Sequence, residues 1–140
     1  MPYLTPAEIK THLYDQVIHT IDDTTELLHL KSAISAAMGE AYSYLSNYDR
    51  VLIFDSIGDL RNPILLLYVK DIAVWHFINL ANPNVDMELR ERRYKYATAW
   101  LKDVQATRAT PDLPVPLPSD ENPQNGSFKW GSSKRRITNY

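Results

Sequence analysis

The sequence predicts an all-α fold, a compact bundle of roughly four to five helices followed by an extended Pro-rich C-terminal arm. Three observations carry that expectation. The segment Asn62–Ala81 is apolar almost all the way round, interrupted mainly by Lys70, Asp71 and His76, and a helix without a polar face has to be enclosed by other elements. The segment Asp86–Thr107 is strongly charged, with Tyr94, Ala97, Trp100, Leu101 and Val104 on one side, the pattern of a peripheral helix laid against that central one. Beyond Thr110, Pro111, Pro114, Pro116, Pro118 and Pro123 make up five of the nine prolines; such a stretch cannot continue a helix and favours an extended path.

Each element has its own signal. Thr5-Pro6-Ala7-Glu8 opens the first helix, because Thr5 and Glu8 can cap one another and Pro6 sits where a missing N–H costs nothing. That helix is expected from Pro6 to near Leu13, with a further turn or short helix over Gln16–Ile21. Asp23-Thr24-Thr25-Glu26 is a second start. From it a long amphipathic helix should run to near Asn47, with Leu27, Leu30, Ile34, Ala37, Met38, Ala41 and Leu45 on one buried stripe. Tyr48–Arg61 reads as a packed loop, because Val51-Leu52-Ile53-Phe54 runs into the turn-like Asp55-Ser56-Ile57-Gly58-Asp59; a short strand is the alternative. Asn62-Pro63 caps and opens the central helix, and Asn82-Pro83-Asn84 breaks it. The last helix starts at Val85 or Asp86 and fades near Ala109. The chain thus divides into a helical body over residues 1–109 and an arm over residues 110–140.

Composition narrows the function classes. A net charge of -2 gives no global basic field to attract nucleic acid or anionic lipid. The absence of cysteine excludes disulfides, Cys-based zinc sites and thiol nucleophiles. The opening MPYLTPAEIK lacks the basic-then-apolar pattern of a signal peptide. The run Ile64–Leu80 approaches membrane-spanning length, but Lys70 and Asp71 at its middle oppose insertion, so no membrane role is expected.

Few residues suggest chemistry. His12, His19, His29 and His76 show no metal-ligand spacing. No serine has a nucleophile-elbow context, and the glycines form no phosphate loop. Asp55 and Asp59 read as a solvated acidic loop, since they lack a spaced series of cation ligands. No cofactor or metal is therefore expected. Asp71 stands apart, because a lone carboxylate on the most apolar helix needs a partner. It is either a catalytic acid or base or one half of an anchoring ion pair with Arg93 or Arg90 of the next helix, and without a companion catalytic group the ion pair is the expected role. In the arm, Lys129, Lys134, Arg135 and Arg136 are interleaved with Phe128, Trp130 and Tyr140. Arginine forks and aromatic anchors suit docking on another protein, with nucleic acid the second possibility.

The order of features also resembles a known family. The long helix carries Ala36-Ala37-x-x-Glu40-Ala41-x-x-Tyr44-Leu45. The central one carries Pro63-x-Leu65-Leu66-x-x-x-x-Asp71-Ile72-Ala73, and the last Arg93-Tyr94-x-x-Ala97-x-x-Trp100-Leu101-x-x-Val104. Over roughly Thr5–Val104 the chain resembles the small head–tail connector (adaptor or head-completion) proteins of tailed bacteriophages, particularly the Mu-like branch. It departs from them at Asp49–Arg61, which is richer in aliphatic residues than the family's pattern. The resemblance implies a structural virion protein without an active site, assembled in the host cytoplasm. It implies a homo-oligomeric ring, commonly of about twelve copies, that joins the portal protein to the tail or to a second connector and lines the DNA channel. The alternative is a small helical regulatory or nucleic-acid-binding protein that uses its basic C-terminal tail. An enzyme combining Asp71 with a histidine is the remaining class.

Overall fold

The helix that organises the fold begins where Asn62 uses its side-chain carbonyl to accept from the N–H groups of Ile64 and Leu65, both at 3.0 Å. The computed structural model describes residues 2–79 and 86–117, which are mostly helical and contain no strand. In chain order a 3₁₀ helix, Pro6–Thr11, is followed by α1 (Asp15–Ile21), α2 (Leu28–Tyr44), α3 (Arg50–Asp55), a 3₁₀ turn at Gly58–Leu60, α4 (Pro63–Ile78) and α5 (Met87–Gln105). The expected breaker Asn82-Pro83-Asn84 lies outside the described residues; α4 ends at Ile78 with Asn79 as its C-cap.

α4 packs along both α2 and α5, which meet each other less extensively. Leu65, Val69, Ile72, Ala73, Phe77 and Ile78 of α4 are fully enclosed, each large side chain contributing about 1.5–3 kcal/mol. On α2 the buried residues are Leu30, Ala33, Ile34, Ala37 and Ala41. Three alanines at four-residue spacing put a smooth ridge on this helix, so its backbone can lie close to α4. Met38 and Leu27 of the expected stripe are only partly buried. α5 contributes Ala97, Leu101 and Val104, with Trp100 against Tyr68 at a ring separation of 5.1 Å.

Four elements differ from the sequence expectation. The first helix is 3₁₀ rather than α; it opens on the expected capping box of Thr5 and Glu8, in which the Glu8 carboxylate accepts from both the backbone N–H and the hydroxyl of Thr5, each at 3.0 Å. α2 starts at Leu28 rather than at Asp23-Thr24-Thr25-Glu26 and ends at Tyr44. Its cap is the buried Asp22, which accepts from the N–H groups of His29 (2.8 Å) and Leu30 (3.0 Å), while Leu28 donates to the Thr24 hydroxyl at 2.9 Å. Leu27, between them, holds the left-handed conformation at φ 53°. Val51-Leu52-Ile53-Phe54 is neither loop nor strand but the body of α3, because Asp49 caps Leu52 at 3.1 Å. Finally, the arm does not leave the body at Thr110. The Asp49 N–H donates to the Pro114 carbonyl (2.8 Å), the Asn62 side chain donates to the Asp112 carbonyl (3.1 Å), and Leu113 packs on the core. Proline removes donors but leaves acceptors, and this stretch is held through its carbonyls.

The N-terminal segment is tied down by Arg61. Its guanidinium donates to the Tyr3 carbonyl (2.7 Å), the Glu8 carboxylate (2.6 Å) and the Gly58 carbonyl (3.0 Å). Gly58 occupies φ +58°, a conformation that glycine alone adopts freely. Tyr3 is buried edge-on against Phe54 at 5.0 Å, and burial pushes its phenol up to about 12.

Two outcomes follow. Asp22→Ala should lower urea-unfolding stability by about 2 kcal/mol, because several donors at the α2 start lose their acceptor; Asp23→Ala, at an exposed neighbour, should change it by less than about 0.5 kcal/mol. Acid should also loosen the fold. The hydrogen bond from Arg61 holds Glu8 at about 2, against an ordinary 4.5. Asp22 lies below its ordinary 3.8, hydrogen bonds from Thr24, Leu30 and His29 overcoming the burial that opposes its charge. Both pKa values are depressed by folding, so the stabilisation is complete above about 4.5 and is lost as pH falls toward 2. Urea midpoints across that range should fall, and Glu8→Gln should flatten the slope.

Candidate functional site

Polar groups on α4 cannot all reach water, and each therefore marks a junction with another element. Asp71 is buried at 8% exposure. Its Oδ1 lies 3.3 Å from Nε2 of His12, and the two side chains are equally enclosed. The expected ion pair with Arg93 or Arg90 does not form. The C-terminal end of the 3₁₀ helix carries His12 directly over Asp71, so the partner comes from the segment before α1 instead of from α5. Arg93 lies nearby, lining a hollow of about 320 Å³ with Thr11, His12, Leu67 and Asp71. Arg90 is farther along, in an adjoining cleft of about 460 Å³ shared with Lys10, Tyr14, Asp86 and Arg93.

The Thr11 hydroxyl is 2.9 Å from Nδ1 of His12, which places a hydroxyl, an imidazole and a carboxylate in a row. That hydroxyl also donates to the Glu8 carbonyl at 2.9 Å and accepts from Lys70 at 3.3 Å. With these partners the row is a fastening between the 3₁₀ helix and α4. Among the described residues no three His, Asp or Glu side chains gather as a possible metal-ligand set.

A second junction was not anticipated. Glu40 of α2 lies 2.7 Å from Nε2 of His76 on α4 and accepts from the Tyr94 hydroxyl of α5 at 2.8 Å. Trp75 stacks on Tyr94 at 5.7 Å. Burial, together with the Glu40 carboxylate, pushes the Tyr94 phenol up to about 12. One signal for this junction was present in the sequence: Glu40 is the lone acid of α2 and sits between two buried alanines.

The remaining surface is notable for apolar side chains exposed among the described residues. Leu60 is 82% exposed, Val51 61% and Leu52 57%; Ile64 and Leu67 at the start of α4 are also open. Leu52 and Leu60 border a hollow of about 300 Å³ with Pro63, Leu113 and Pro114. Val115 and Leu117 continue the exposed apolar run along the arm. The docking residues expected in the arm, Phe128, Lys129, Trp130, Lys134, Arg135, Arg136 and Tyr140, lie outside the described residues.

Among the described residues no helix is long and apolar enough to cross a membrane. In comparisons with known proteins, the chain matches no family model, no curated protein and no solved structure.

The His12–Asp71 contact predicts a specific pattern of coupling. Asp71→Ala should cost about 3 kcal/mol. His12→Ala should cost less, and the double variant should be less destabilised than the sum by about 1 kcal/mol. Arg93→Ala should shift stability by under about 1 kcal/mol. Urea unfolding of the four variants checks this, and a large effect at Arg93 with additivity at His12 would reverse the assignment.

Proposed function

We propose that the chain is a structural subunit of an oligomeric ring joining the portal of a tailed bacteriophage to its tail, part of the virion and without catalytic activity. In this reading a compact bundle of four to five helices forms the ring body, in about twelve copies. The arm, with Phe128, Trp130 and the Lys134–Arg136 cluster, reaches a neighbouring subunit, the portal or a second connector, and basic residues face DNA in the channel. The observation that carries it is the set of uncovered apolar side chains on α3, the Gly58–Leu60 turn and the start of α4. Scattered single hydrophobic residues on a surface need no explanation, but a concentration on adjoining elements marks an interaction surface. The residue patterns of α2, α4 and α5 that resemble the connector family support it as well.

Leu52→Asp combined with Leu60→Asp should leave helicity unchanged and abolish ring formation. Analytical ultracentrifugation and negative-stain imaging, of the full chain alone and mixed with the portal protein of a Mu-like phage, provide the check. Removing residues 118–140, which keeps the docked Asp112–Pro114 stretch, should likewise preserve the fold and abolish assembly. A protein that stays monomeric in both settings and binds DNA with steep salt dependence would establish the second reading, a small nucleic-acid-binding protein with a basic tail.

A further inference from the structure

The cleft between the 3₁₀ helix and the first turns of α5 contains two arginines that have no anionic partner among the described residues. Arg90 and Arg93 are three residues apart on α5, so their side chains leave the same face, and both line the cleft of about 460 Å³. Neither makes an ion pair or a side-chain hydrogen bond among the described residues. The other charges at this cleft are already engaged. Lys10 pairs with Asp15 at 3.2 Å, Asp86 caps the Leu89 N–H at 3.0 Å, and Asp71, in the adjoining hollow, pairs with His12 at 3.3 Å. Residues 80–85, which lead into α5, are Leu, Ala, Asn, Pro, Asn and Val and bring no carboxylate.

Two partly buried like charges on one wall repel each other. Burial first, and then Arg93, lower the pKa of Arg90 from its usual value, with Asp71 and Asp86 only partly offsetting this. An anion between the two guanidiniums would remove that penalty. Each guanidinium offers a planar fork of donors. A single carboxylate satisfies one fork, whereas a phosphate has three or four acceptor oxygens and close to two negative charges, enough for both.

We propose that this cleft is a phosphate-binding site, with Arg90 and Arg93 as a paired clamp. The phosphate is either a free one, whose oxygens and charge serve both forks, or is supplied by a nucleic-acid backbone as two successive phosphodiesters, each with one charge and two free oxygens for one fork. The proposal is independent of the ring reading, since it rests on Arg90 and Arg93 and not on the exposed apolar residues of α3 and the Gly58–Leu60 turn, and it survives if no ring forms.

Arginine side-chain ¹⁵N NMR of the full chain tests it directly. Titrated inorganic phosphate should move the Arg90 and Arg93 Nε–H signals in a saturable way, and potassium glutamate at matched ionic strength should not. Arg90→Gln with Arg93→Gln should weaken phosphate binding by roughly 10–100-fold. Arg90→Lys with Arg93→Lys should fall between, because the charge stays but the fork is lost. Arg108→Gln, at a residue paired with Asp103, should bind as the wild type does. Oligothymidylate that competes for the same two signals identifies the backbone as the source; phosphate binding without that competition identifies a free phosphate. Both results support the site. Signals that do not move, that respond equally to glutamate, or that shift opposite to the phosphate direction when residues 118–140 are deleted overturn it. So does wild-type phosphate affinity in the double Gln variant. If that variant fails to fold, the wild-type signals still decide.

Discussion

α4 has no side to turn toward water, and the rest of the molecule is arranged around that constraint. α2 and α5 cover it along its length and the N-terminal segment covers a third flank, while Ile64 and Leu67 at its start stay open. Its few polar residues then become the fastenings. Asp71 meets His12, Lys70 meets Thr11, and His76 meets Glu40, which also holds Tyr94. Apolar enclosure supplies most of the stabilisation and is non-directional. The buried polar contacts choose which surface lies against which, since a wrong neighbour would leave a carboxylate unpaired.

Two surface regions differ in what they leave unsatisfied. One, built from α3 and the Gly58–Leu60 turn, exposes apolar groups that no element among the described residues covers. The other, between the 3₁₀ helix and α5, holds two arginines that no carboxylate of the described residues pairs with. Desolvation drives association at the first, and fixed charge drives it at the second. Salt would weaken the second and leave the first largely intact.

Much of this was legible in the sequence, for reasons that residues make plain. Asn62-Pro63 and Asp86 cap their helices locally, and the all-apolar character of α4 forces it inside whatever lies around it. α3 was missed because Val51 and Ile53 suggested extended structure, although Asp49, three residues before Leu52, is a capping signal. The start of α2 was placed too early because its cap, Asp22, acts from seven and eight residues away across a left-handed Leu27. The partner of Asp71 was assigned to the wrong element for a more general reason. Periodicity reveals that a carboxylate is enclosed but not which neighbour faces it, and His12 reaches it from the far side of α2 in sequence. The Glu40–His76–Tyr94 junction is invisible in the same way, being assembled from three helices.

The clamp made by Arg61 also bears on the order in which the chain comes together. Its bonds to Tyr3 and Glu8 span 58 and 53 positions. Closing a loop of that length in an unstructured chain costs roughly 3–4 kcal/mol in entropy, about as much as a few hydrogen bonds return. Once α2 and α4 are docked, most of that loop is already fixed and the cost has largely been met. The opening residues are therefore expected to latch late, their contacts slowing unfolding more than they speed folding.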